Sequence, residues 1–112
     1  MTIEALWAVA FSTPEGAAGT GVVVFETGRV FGGDSLYYYL GDYAVDRKTV
    51  RGKVDVIHYS GPPMNIVGPV ERLSLNYEGR IVDDNRMEAT GIDPTNPQRR
   101  VAMEFVRLHN LP

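Results

Sequence analysis

Residues 31 to 43 read Phe31-Gly32-Gly33-Asp34-Ser35-Leu36-Tyr37-Tyr38-Tyr39-Leu40-Gly41-Asp42-Tyr43, a glycine pair and an aspartate that run straight into an aromatic strand broken by one glycine. Glycine pairs admit φ values closed to other residues, and a glycine inside a strand marks a bulge or a sharp bend. The stretch therefore predicts a structural corner at Gly32, Gly33 and Asp34, followed by a coiled strand with a bulge at Gly41. The Asp34 carboxylate is expected to accept backbone N–H bonds at that corner, as Asx turns do. Small barrels close in this way.

On either side of this corner the apolar residues alternate with period two, and no window of a dozen residues carries a helical stripe. Strands are expected over residues 3–11, 19–26, 29–32, 36–46, 49–59, 70–77, 86–92 and 99–109, and 80–85 either extends a hairpin or merely connects. Thr27-Gly28 and Glu78-Gly79 are read as tight hairpins, and 60–69, with three prolines and two glycines, as a loop with a turn of helix at 64–67. Sequential antiparallel strands with short joints predict an all-β, single-domain, up-and-down antiparallel β-barrel of about eight strands over residues 1–112, lipocalin-like in outline. A barrel of that size is either filled by side chains or holds one small ligand. The alternation assigns Trp7, Val9 and Phe11 to its lining on the first strand and Tyr38 and Leu40 on the fourth. Val54, Val56, Leu73 and Leu75 follow from the fifth and sixth strands, and Met87, Met103 and Phe105 from the last two.

The chain has 112 residues, 44% hydrophobic and 22% charged, which fits one folded domain and excludes wholesale disorder. It has no cysteine, and so no disulfide, thiolate nucleophile or thiolate metal ligand. A net charge of −3 gives no overall attraction to nucleic acid or anionic lipid. The first eleven residues lack a basic region and contain Glu4, so neither a signal peptide nor a membrane span is expected and a cytoplasmic setting is.

No constellation of catalytic residues stands out. His58 has Asp55 and Ser60 nearby in sequence, but no Gly-x-Ser-x-Gly elbow is present and an odd offset puts Asp55 and His58 on opposite strand faces. The two histidines, His58 and His109, lack metal-ligand spacing, and no cofactor is expected. Gly16 to Gly21 is followed by a strand rather than a helix, so a flexible turn with a bulge is expected there instead of a phosphate loop. Tyr37, Tyr39 and Tyr43 beside Asp46, Arg47 and Lys48 form the best candidate partner surface. The neighbouring cations are offset by Asp42, Asp46 and Asp55, which favours a protein over a nucleic acid.

Gly32-Gly33-Asp34, Tyr39-Leu40-Gly41 and Val56-Ile57-His58-Tyr59, together with Gly19-x-Gly21 and Phe25-Glu26-Thr27-Gly28-Arg29, resemble the GrlR-like family of type III secretion negative regulators. The likeness extends in strand order over residues 5–108. It implies a lipocalin-like barrel that forms homodimers and regulates by binding a transcriptional regulator rather than DNA. Where the best-studied branch of that family carries an acidic run, this chain has Ala44-Val45-Asp46-Arg47-Lys48. The expected function is thus non-enzymatic regulation through protein contact, with carriage of an apolar small molecule as the alternative. A homodimer is expected through Leu6, Ala8 and Ala10 on the outside of the first strand and Val106 and Leu108 on the outside of the last.

Overall fold

The computed structural model describes residues 2–65 and 67–112 and contains nine strands: β1 (Ala5–Ser12), β2 (Ala18–Glu26), β3 (Arg29–Gly33), β4 (Tyr37–Asp42), β5 (Ala44–Asp46), β6 (Thr49–His58), β7 (Arg72–Asp83), β8 (Arg86–Asp93) and β9 (Asn96–Asn110). They form one antiparallel sheet in the order β4-β3-β2-β1-β9-β8-β7-β6-β5, and pairing of β4 with β6 closes it on itself. The result is a closed eight-stranded antiparallel barrel with β5 as a short extra strand on β6. Closure hides the edges that an open meander would expose.

Glycines set the tight coiling around the 31–43 corner. A Cβ added at Gly32 would lie 2.0 Å from the Val22 carbonyl oxygen, and one at Gly41 would lie 2.0 Å from that of Lys53. Gly41 is therefore not a bulge: it stays in register with Val30 and Val54 and lets β4 and β6 approach closely. The interruption falls two residues later, at Tyr43. There the Asp42 carbonyl turns aside to accept the Tyr77 hydroxyl at 2.7 Å, and the Tyr43 N–H donates to the Gly28 carbonyl at 3.0 Å.

Thr27-Gly28 is the hairpin that its sequence implies, with φ of 52° and 80° at its two residues, both in the left-handed region. Glu78-Gly79 is not a hairpin. Gly79 sits within β7 opposite Ala89, where a Cβ would lie 2.2 Å from the Glu88 carbonyl, so this glycine serves strand contact and the chain turns only after Asp83. Between β6 and β7, Asn65 and Gly68 exchange two backbone hydrogen bonds of 2.9 Å, a tight reverse turn in place of the expected turn of helix. Ile66, within that expected turn, lies outside the described residues.

The inward faces of the strands make one core. Its closed end is built around Trp7, fully buried, whose indole N–H donates to the Ile3 carbonyl at 2.9 Å. The Arg107 guanidinium lies 4.9 Å above the Trp7 ring and donates to the carbonyls of Thr2 and Asp84, so it ties the entering chain and the β7–β8 turn to this end. Phe25 packs edge-on against Trp7, Tyr43 and Phe105 with centroid separations of 6.4, 5.2 and 5.8 Å, and forms a floor across the barrel.

Candidate functional site: an apolar cavity with one charged residue at its mouth

Above the Phe25 floor the barrel is hollow. The cavity has a volume of about 320 Å³ and opens toward the start of β2, the Asp34 corner and the loop carrying Met64 and Asn65. Its wall is mostly aliphatic and aromatic, with Val9, Val23, Val56, Leu75, Met103 and Phe105 among the lining residues. Among the described residues no buried side-chain nitrogen or oxygen lacks a hydrogen-bond partner, so the wall presents no unsatisfied polar atom to an occupant.

Three tyrosines reach the wall with their hydroxyls committed. Tyr37 donates to the Val70 carbonyl, Tyr39 to Oδ2 of Asp34 and Tyr77 to the Asp42 carbonyl. Burial pushes the Tyr39 hydroxyl well above its ordinary pKa, with the Asp34 hydrogen bond and charge adding to the shift. Burial does the same at Tyr77, helped by Asp42, and at Tyr37, helped by Asp34 and Glu71. All three are neutral around pH 7.

Asp34 organises the mouth. Its Oδ1 accepts the N–H groups of Leu36 and Tyr37, each at 2.8 Å, its Oδ2 accepts Tyr39, and its backbone carbonyl accepts the Tyr59 hydroxyl at 2.7 Å. An Asx corner is the reason for an aspartate after two glycines, because it satisfies the N–H groups that the sheet leaves free at the turn.

The expected lining is therefore divided. Val9, Phe11, Val54, Val56, Leu73, Leu75, Met103 and Phe105 line the cavity. Trp7 and Met87 are buried but lie outside the cavity wall, Trp7 beneath the floor. Tyr38 and Leu40 face outward, against the expected parity: they are 38% and 51% exposed, whereas Tyr37 and Tyr39 are 2% and 6% exposed and point inward. The three-tyrosine run gives no parity by itself. The Asp34 corner decides it by fixing Tyr37 N–H and binding the Tyr39 hydroxyl inside.

The expected partner surface is dismantled by the same parity. Tyr37 and Tyr39 are internal and Tyr43 is half-buried against Phe25, which leaves Asp46, Arg47 and Lys48 exposed on the β5–β6 hairpin without an aromatic surface. His58 contacts the Gly61 carbonyl and the Tyr37 ring, while Asp55 pairs with Arg72 and Ser74, so the two do not meet. Among the described residues no three His, Asp or Glu side chains gather as a metal site would require.

The glycines of 16–21 play a different part from the flexible turn with a bulge. Gly16 turns with φ of 93°, but Gly19 and Gly21 lie in β2, in register with Phe11 and Val9. A Cβ at Gly19 would meet the Phe11 ring at 2.5 Å, and one at Gly21 would meet the Tyr39 hydroxyl oxygen at 2.7 Å. They are spaces for aromatic side chains. Two glycines at spacing two, continuous with Val23 and Phe25, are the signal that marks this inner face.

The outside of the barrel also carries apolar side chains in register. Leu6, Val24, Phe31 and Leu40 are successive cross-strand partners, and Val106, Ala8 and Val22 form a second row that continues through Gly33 to Tyr38. Val22, Phe31, Tyr38, Leu40, Val106 and Leu108 are all exposed. The face thus extends beyond the first and last strands to β2, β3 and β4.

No family model and no curated protein matches the chain. Among solved structures, a redesigned β-barrel superposes with a TM-score of 0.69 at 10% identity, covering 96% of this chain and 92% of that one. The likeness is one of fold: both are β-barrels of the same extent.

Proposed function

We propose that this protein is a non-enzymatic binding protein that takes up a small, mainly apolar molecule inside its barrel. The supporting observation is the open cavity of about 320 Å³ between the Phe25 floor and the Asp34 corner. Ligand pockets begin at roughly 300 Å³ and combine an apolar wall with a few placed polar groups. At about 30 Å³ per water-sized group, this one suits a ligand of about ten or eleven non-hydrogen atoms.

The test is calorimetric titration with a compact alcohol of that size, against wild type and a Val101→Phe variant that fills the space from β9. Saturable binding by wild type and its loss in a stably folded Val101→Phe supports the proposal; equal binding by both removes it. Trp7 fluorescence is a poor reporter, since that ring lies beneath the floor.

The outer apolar face favours a second reading, regulation through protein contact with a homodimer as the simplest assembly, in line with the resemblance to GrlR-like regulators. Apolar side chains in two registered rows over five strands gain by being covered. On this reading the docking surface is the β9-β1-β2-β3-β4 face, and the 36–48 segment contributes only Tyr38 and Leu40 to it.

A further inference from the structure

We infer that the cavity selects an apolar ligand whose polar end donates a hydrogen bond and is not anionic, an alcohol or an amine rather than a fatty acid. This inference rests on the cavity being a binding site. Among the described residues that line it, Asp34 is the only side chain with a formal charge, and lysine, arginine and histidine are all absent from the wall. A fatty-acid site gains most from the reverse, a cation that receives the carboxylate through charge-assisted hydrogen bonds.

Hydrogen-bond accounting at Asp34 sharpens the point. A carboxylate has about four acceptor positions. Three are filled, two on Oδ1 by Leu36 and Tyr37 N–H and one on Oδ2 by the Tyr39 hydroxyl. One position on Oδ2 remains, at the mouth of the cavity. The tyrosine hydroxyls that an anion would seek are already donating elsewhere, Tyr37 to Val70 and Tyr77 to Asp42. The site thus offers a charged acceptor, and the donors left on its wall are the neutral side chains of Thr20, Ser35 and Asn65.

Phe11, Phe25, Tyr37, Tyr39, Tyr77 and Phe105 also line the cavity, and none of them brings a positive charge to receive a carboxylate. Glu71 follows Val70, whose carbonyl accepts the Tyr37 hydroxyl, and its negative charge acts on that hydroxyl from outside the wall. A carboxylate entering head-first would be buried among apolar side chains without a cation, and one entering tail-first would leave its head beside Asp34.

The experiment is isothermal titration of the wild-type protein near neutral pH with three probes of one chain length: decan-1-ol, decylamine and decanoic acid. The alcohol and the amine are expected to bind, with the acid at least tenfold weaker than the alcohol. In Asp34→Asn the acid's deficit is expected to shrink to threefold or less. The wild-type ranking stands on its own if that variant does not fold. Decanoic acid binding as tightly as the alcohol, or more tightly, overturns this inference and leaves the cavity standing as a binding site. Silence from all three probes overturns the cavity reading and this inference with it.

Discussion

Replacing Asp34 by alanine removes one small side chain but three hydrogen bonds, so the cost can be assembled from the geometry. The N–H groups of Leu36 and Tyr37 lose an acceptor at 2.8 Å, yet the corner is partly open and water replaces it, which puts each loss at about 0.5–1 kcal/mol. Tyr39 is different. Its ring is 6% exposed and its hydroxyl is left facing an apolar cavity, where an unpaired donor costs about 1–3 kcal/mol. The total is about 2–5 kcal/mol, or a fall of roughly 8–20 °C in Tm for a domain of this size. Thermal unfolding followed by circular dichroism measures it. A double-mutant cycle with Tyr39→Phe isolates the buried bond, with an expected coupling of about 1–2 kcal/mol. Asp34→Asn, which keeps an oxygen for the two N–H groups, is expected to retain at least half of the stability. A Tm for Asp34→Ala within about 2 °C of wild type would refute the account of the corner.

Gly41→Ala is expected to destabilise by about 3 kcal/mol or more, because its Cβ would have to enter the space of the Lys53 carbonyl; a urea midpoint close to wild type would show that β4 and β6 part easily. The buried tyrosines predict alkaline sensitivity. The hydroxyls of Tyr39 and Tyr77 titrate above the unfolded value of 10.0, so their contribution to stability is full below about pH 10 and is lost as pH rises beyond it. Urea midpoints at about pH 8 and pH 11 should fall accordingly, and by less in Tyr39→Phe; a flat profile contradicts the burial of these groups. For the outer face, sedimentation equilibrium should find wild type self-associated at tens of micromolar and Leu40→Lys and Leu108→Lys monomeric. Monomeric wild type would set the homodimer aside.

The barrel was legible where sequence alternation was strict and a turn residue had only one use. Thr27-Gly28 needs two left-handed residues and has them, and 49–59 alternates cleanly, which places Val54 and Val56 on the wall. The sequence misled where a residue type serves two ends. Gly41 and Gly79 look like bulge and turn, but each is a close approach between strands, a cause that lies in a neighbour distant in sequence. The cavity was half legible for the same reason. Val22 to Phe25 and Tyr37 to Tyr39 are apolar or aromatic at every position, so alternation alone cannot say which residues face inward. On β4 the choice is made by Asp34, through its hold on the Tyr37 N–H and the Tyr39 hydroxyl. Reading the aspartate as an acceptor for an inward tyrosine, as well as for the corner, is what would have set the parity.

Crystals grown with an alcohol of about ten non-hydrogen atoms carrying a terminal bromine give the most direct test of the central claim, that the barrel interior is a binding site. The anomalous difference map should place the bromine above the floor made by Phe25 and Phe105, with the hydroxyl directed to Oδ2 of Asp34. Bromine found only on the outer face among Phe31, Leu40 and Val106, or an interior closed over by its own side chains, would contradict it.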